Sequence, residues 1–231
     1  MSQTTEVALF GDKTADLPAH LQDDSVGAMG SENTSVKDYA MPQLKLLQAL
    51  SPECRSVEGA KEGMLLNSVT QETFDAVFAI NLYFTKEYAI FKKRLKGGGF
   101  FGNFDTEAEA LEELATLEGD PAHYDVVETD KHTLLLLDDE GAPTGPAQIF
   151  MSSSKLQVSR VWNTSINQKS LNKPRFSRVW RVGSIMEKNK RGDEYANFTI
   201  TDCGWAPPAL YEAALDGYRA VSGTAAPAEA A

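Results

Sequence analysis

Phe74-Asp75-Ala76-Val77-Phe78-Ala79-Ile80-Asn81-Leu82-Tyr83-Phe84 places Phe74, Ala76, Phe78, Ile80, Leu82 and Phe84 against Asp75, Val77, Ala79, Asn81 and Tyr83, a period of two held over eleven residues. Such alternation reads as a β-strand with one face turned to a core. A second strand is expected over roughly Glu87–Leu95, after a short break and before Gly97-Gly98-Gly99. Further strands are expected at Tyr124–Glu128, Thr133–Leu137 and Ala147–Met151, with Gly141–Gly145 as a turn. Phe176–Met186 and Tyr195–Thr201 form a hairpin around the charged loop Glu187–Asp193.

Helical patterns fall between these strands. Asp105 or Thr106 caps a helix to about Leu117, with Leu111, Leu114 and Leu117 inward and the glutamates outward. Ser152–Ser154 opens a second helix to about Gln168, whose apolar side is Val158, Val161, Trp162 and Ile166. Pro207-Pro208 starts a last one, with Leu210, Ala214, Tyr218 and Val221 on one stripe. Met41-Pro42 opens a short apolar anchor, helical or extended, which Ser51-Pro52 closes. The expected class is α+β, mainly β with α additions. Six or seven strands around an inserted helix suggest a small OB-fold-like β-barrel with a C-terminal helix, a plan that binds oligonucleotides on one face. The expected organisation is a disordered N-terminal arm over 1–36, a single OB-like domain over 37–221 with an acidic insertion at 105–140, and a flexible tail over 222–231.

At 231 residues the chain is long enough to bury a core without disulfide or metal staples. No run of 18 apolar residues occurs, and the polar start argues against a secretory signal. Cys54 and Cys203 lie far apart in sequence, which fits a reducing compartment.

The net charge of −11 hides a polarised chain. Residues 81–100 carry five bases and one acid, and residues 151–200 carry ten bases and three acids. Between them, residues 101–150 carry thirteen acids against Lys131 alone. This pattern predicts one positive face and one negative lobe; alternatively, the lobe satisfies the basic face internally and leaves no anion site.

Chemistry-bearing motifs are weak. Gly97-x-Gly99-x-x-Gly102 matches a dinucleotide fingerprint in form, but the helix that follows begins with Asp105, Glu107 and Glu109, which would repel a pyrophosphate. The carboxylates Asp125, Glu128, Asp130, Asp138, Asp139 and Glu140 read as a solvated acidic hairpin rather than a metal site. His20 falls in the arm, and His123 and His132 sit among acids with no nucleophile context. No cofactor, no metal and no catalysis are expected.

Basic residues interleaved with aromatics remain. One set is Lys86, Tyr88, Lys92, Lys93, Arg94, Lys96, Phe100 and Phe101; the other is Arg175, Arg178, Trp180, Arg181, Lys188, Lys190, Arg191 and Tyr195. Single-strand binders use this combination, because cations neutralise phosphates and rings stack on unpaired bases. The competing assignment for Trp180, Phe176, Phe198 and Trp162 is core. The two sets together are expected to line one groove.

Two stretches carry a resemblance. Pro42-Gln43-Leu44-Lys45-Leu46-Leu47-Gln48-Ala49-Leu50-Ser51-Pro52-Glu53 resembles an N-terminal segment of phage-encoded proteins. The block Phe176–Trp205, with Asn189-Lys190-Arg191-Gly192-Asp193-Glu194-Tyr195 at its turn and Ser159-Arg160-Val161-Trp162-Asn163 before it, resembles the closing hairpin of T7-like phage single-stranded DNA-binding proteins. That resemblance implies an OB-fold and binding of single-stranded DNA during replication or recombination, in the cytoplasm of an infected bacterial host. Its partners would be single-stranded DNA and phage replication or recombination proteins, with no membrane and with a dimer among the options. The sequence departs from those proteins in ending Ala226-Pro227-Ala228-Glu229-Ala230-Ala231, without an acidic, aromatic-terminated tail. The lobe 105–140 could compete with DNA in its place. The alternative function is a protein-interaction module, a virion component or host polymerase modulator, using the basic face.

Overall fold

The computed structural model describes residues 30–34 and 38–223. Most of the expected arm 1–36, with His20, and the tail beyond Gly223 lie outside the described residues. The chain divides into two units, Met1–Ala40 and Met41–Ala231. In the first, Thr34 bonds Ser31 through both its amide (3.0 Å) and its hydroxyl (2.8 Å).

The second unit is built on two antiparallel sheets. A small one joins β1 (Leu44–Leu46), β2 (Leu65–Asn67) and β3 (Thr73–Phe74). The large one is organised by β4 (Ala76–Lys92), which pairs along one side with β6 (Tyr124–Leu137). On its other side β4 meets β8 (Arg178–Lys188) through residues 76–80 and β5 (Phe100–Phe104) through residues 88–91. β7 (Pro143–Ser152) and β9 (Glu194–Trp205) complete the order β7-β6-β4-β8-β9. Four helices accompany the sheets: α1 (Glu53–Ser56), α2 (Glu107–Thr116), α3 (Lys155–Lys169) and α4 (Pro208–Ser222).

The α+β class stands; closure into a barrel does not. The edge strands β7 and β9 do not pair with each other. The segment around β1 ties to both instead. Pro42 O accepts from Gln148 N at 2.8 Å on β7, and the Gln48 side chain donates to Ala196 O (2.9 Å) and accepts from its N–H (3.1 Å) on β9. The side-chain amide thereby occupies edge groups that an open sheet would otherwise present for pairing.

The short break expected before Glu87 is absent, and β4 runs through it. Charges there are satisfied across the sheet: Lys86 pairs with Glu128 and lies 3.6 Å from Asp130, and Glu87 accepts from Lys131 at 3.3 Å. Opposite charges on facing strands support pairing where lone charges would interrupt it. The same pairing fuses the two strands expected between Tyr124 and Leu137 into β6.

The period of two also changes phase. Asn81 faces Leu134 and Tyr83 faces Thr133, so Leu82 is a bulge residue with no partner on β6. Upstream, Val77 and Ala79 belong to the core with Trp162 and Trp180; downstream it is Ile90 that is buried under α2. Leu82 and Tyr83 both join the cluster under α4, with Leu135, Phe176, Leu210 and Ala214.

The helices follow their caps and stripes in part: in α2 Leu111, expected inward, is 50% exposed and Ala110 is buried instead. Thr106 caps α2 in a capping box with Glu109, each bond 3.2 Å, which matches the expected start. In α4 the expected stripe Leu210, Ala214, Tyr218 and Val221 is the packed one. In α3 the buried residues are Ser159, Trp162 and Ile166, while Val161 is 55% exposed. The stripe misread Ser159 because its buried face is partly polar.

Trp180 and Trp162 are each 1% exposed and meet edge to face at 6.2 Å between centroids. Trp180→Ala should lower the unfolding free energy in urea by about 3–5 kcal/mol. Thr106→Ala should cost about 1 kcal/mol. Equal effects from the two substitutions would contradict this core.

Candidate nucleic-acid interface

The glycine-rich loop follows β4 directly. After Lys93 the chain makes a single 3-10 turn, Arg94–Lys96, and Gly97, Gly98 and Gly99 then hold φ of 106°, 66° and 127°. These left-handed values explain the glycines without any ligand. The loop delivers Phe100 and Phe101 into β5, where Phe100 returns against Phe91 with centroids 5.6 Å apart. Phe101 meets Tyr124 edge-on at 5.2 Å. Phe91, Phe100 and Leu95 remain 41%, 58% and 98% exposed.

Cations surround these rings. Lys92 lies 5.7 Å from the centre of the Tyr124 ring. Lys93 donates to Ala122 O at 2.8 Å and sits 3.5 Å from Asp125. Arg94 and Lys96 are exposed and form no ion pair with any described residue. Tyr88 packs inward with Ile90 and Ala110, and Lys86 is held by Glu128 and Asp130. The tip of the β4–β5 arm therefore combines free cations with exposed rings, whereas the middle of β4 is neutralised from β6.

The second basic segment fares differently. Arg178 is 8% exposed and forks onto Asp202 through Nε (2.8 Å) and Nη2 (2.7 Å), with its guanidinium 4.5 Å from the Trp205 ring centre. That pair, led by the Arg178 hydrogen bonds, pulls the Asp202 carboxyl down to about 2. Trp180 is core. Lys188 pairs with Glu194 at 3.2 Å, and the Tyr195 hydroxyl donates to Glu187 at 2.8 Å. Arg181, Lys190 and Arg191 are exposed. Arg175 is tied to Asn81 and Asn163.

The two segments do not share a groove. Ala76 faces Gly183, so the β8–β9 turn projects past the start of β4, while Lys92 closes its far end. Sixteen residue steps at about 3.3 Å put these ends on the order of 50 Å apart. Acidic residues 138–140 also rim an apolar groove of about 810 Å³ beside Trp205 at the near end, which disfavours phosphate there.

The structure also assembles a polar chain that the sequence did not disclose. The Ser159 hydroxyl donates to Asp130 Oδ2 (2.5 Å) and so accepts from His132 Nε2 (2.8 Å); His132 Nδ1 accepts from Asn81 Nδ2 (2.9 Å). Asn81 Oδ1 then accepts from Arg175 Nη1 at 3.1 Å, and Arg175 Nη2 donates to Asn163 Oδ1 at 2.7 Å. The bonds from Arg175 through to Asp130 all point the same way only if His132 is neutral with its proton on Nε2. Burial, aided by the Arg175 charge, pushes the His132 pKa down to about 3. Ser159 bridges acid and imidazole and is fully buried, an arrangement that leaves no accessible nucleophile. The available signals were Asp130 and His132 at i, i+2 on one strand face, and a serine on the buried stripe of α3.

With the fold and tip described, the chain falls among phage proteins. It belongs to the Pam3 phage gp34-like family, whose model matches residues 11–227. No curated protein and no solved structure matches it. The phage origin implied by the resemblance therefore stands. Among the described residues no helix is long and apolar enough to cross a membrane.

His132 titrates near 6.5 when unfolded and near 3 when folded, so its contribution is complete above about pH 6.5 and lost as pH falls toward 3. Between pH 7 and 4.5 the unfolding free energy should drop by about 2–3 kcal/mol from this residue. His132→Gln should flatten that slope; an unchanged slope would show that another group carries it.

Proposed function

We propose that the chain is a non-enzymatic phage protein that binds single-stranded DNA through the tip of the β4–β5 arm during replication or recombination in the infected cell. The observation carrying this reading is the exposed Phe91–Phe100 pair beside Arg94 and Lys96, two cations with no acidic partner among the described residues. Rings of this kind stack on unpaired bases of any sequence, and the cations neutralise adjacent phosphates. A duplex, with its bases already stacked, offers these rings less. The site is small, so weak affinity per copy and steep salt dependence are expected. The exposed glutamates of α2 lie on the neighbouring face of the arm and would oppose phosphate. This retains the idea of an acidic element that competes with DNA.

A second reading has one observation in its favour. Leu95 is 98% exposed and has no ring to offer a base. It suits docking of an acidic protein surface onto the same tip.

Fluorescence anisotropy of a labelled thymidine 30-mer at low and moderate salt, with duplex as competitor, tests the reading. Binding at low salt that duplex does not displace is expected. Arg94→Ala combined with Lys96→Ala should reduce the slope of log K against log salt by about 1.4. Phe100→Ala should cost about 1–3 kcal/mol, and Lys190→Ala with Arg191→Ala should change little. No binding at low salt would end the nucleic-acid reading and leave the protein-docking one.

A further inference from the structure

Between the end of the β8 pairing at Ile80 and the start of the β5 pairing at Tyr88, no strand covers that edge of β4 among the described residues. A cavity of about 470 Å³ opens there, lined by Leu82, Tyr83, Phe84, Pro174, Arg175, Phe176 and Tyr218. The Leu82 bulge and the turn before β8 bring three accessible ring faces, Tyr83, Phe84 and Tyr218, to one opening.

Arg175 is the cation of this cavity. Its guanidinium lies 5.3 Å from the Phe84 ring centre and gives two N–H groups to neutral amide oxygens, Asn81 Oδ1 and Asn163 Oδ1. Three of its five N–H groups are left without an acceptor among the described residues. No carboxylate of the described residues pairs with it. Burial alone draws its pKa down to about 10, with no compensating acid. A desolvated cation without a counter-charge is costly. Among the described residues the negative group joined to it is Asp130, at the far end of the hydrogen-bonded chain through Asn81, His132 and Ser159.

We propose that this cavity binds an oxyanion carried beside a planar ring, of the size of a nucleoside monophosphate. The oxyanion takes the free N–H groups of Arg175, whose fork suits phosphate. The ring lies against the aromatic side chains, and the volume is within the usual range for small-ligand sites. The choice of a nucleotide among ring-bearing oxyanions rests on the single-strand reading above.

The Arg175 Nε–H resonance, identified by its loss in Arg175→Gln, is followed by NMR in the full chain. The titrants are thymidine monophosphate, thymidine, inorganic phosphate and a 5′-phosphorylated thymidine tetramer. Thymidine monophosphate is expected to bind at least tenfold tighter than thymidine or phosphate. Asn163→Asp places a carboxylate where Arg175 already bonds, and should abolish that preference while the fold is kept. Tyr218→Ala should weaken the nucleotide severalfold. A tetramer that binds tighter than the monomer makes the ligand one residue of a strand; equal affinities make it a free nucleotide. Nucleotide binding no tighter than phosphate, or unchanged in Asn163→Asp, overturns the proposal. Binding of the 30-mer without any shift at Arg175 overturns the cavity alone and leaves the arm tip standing. Nucleotide binding at Arg175 without 30-mer binding does the reverse.

Discussion

The seventeen residues of β4 pair with three other strands, and nearly every other element is positioned by that fact. β6 follows it on one side for its full length, while β8 and β5 divide the other side between its two ends. The near end is a covered sheet, with α3 and the small sheet on one face and α4 on the other. The far end is a three-stranded arm covered by α2 alone. Such a long strand holds because Lys86 and Glu87 find opposite charges on the facing strand β6, where each unpaired would favour solvent and a turn.

That arrangement explains why charge read along the chain overstated the number of free cations. The thirteen acids of residues 101–150 are not a separate lobe, since β6, which carries several of them, is the inner partner of β4. Glu128, Asp130 and Asp125 answer Lys86 and Lys93, which realises the internal neutralisation that the charge pattern allowed. What remains free is what lies beyond the reach of β6: Arg94 and Lys96 at one end, Lys190 and Arg191 at the other.

The long strands of the large sheet, its hairpin and two of the helices were legible because they depend on local period and capping, whereas the short strands β2, β3 and β5 carry too few residues to show a period. Thr106 with Glu109, and Leu210 with Ala214, announce themselves within one turn. The phase change at Leu82 was not legible, since a bulge is set by the partner strand. The polar chain was hidden for a related reason. Asp130, Ser159 and Arg175 are far apart in sequence, and only the packing of α3 onto β6 joins them. Arg178 looked like a free cation because its partner, Asp202, sits across the hairpin and outside the basic block.

The bulge at Leu82 has a meaning for how this chain tolerates change. Because a strand turns successive side chains to opposite sides, one unpaired residue acts like a frameshift in space. Upstream of it the odd-numbered Val77 and Ala79 pack with Trp162 of α3; downstream the even-numbered Tyr88 and Ile90 pack under α2. Were the strand to run regularly through Leu82, with no residue lost, every side chain of the arm would stay chemically intact yet turn to the wrong side. Ile90 would then meet water, and Phe91 would lie beneath α2. The register of a whole arm thus hangs on a single position whose own side chain never enters it.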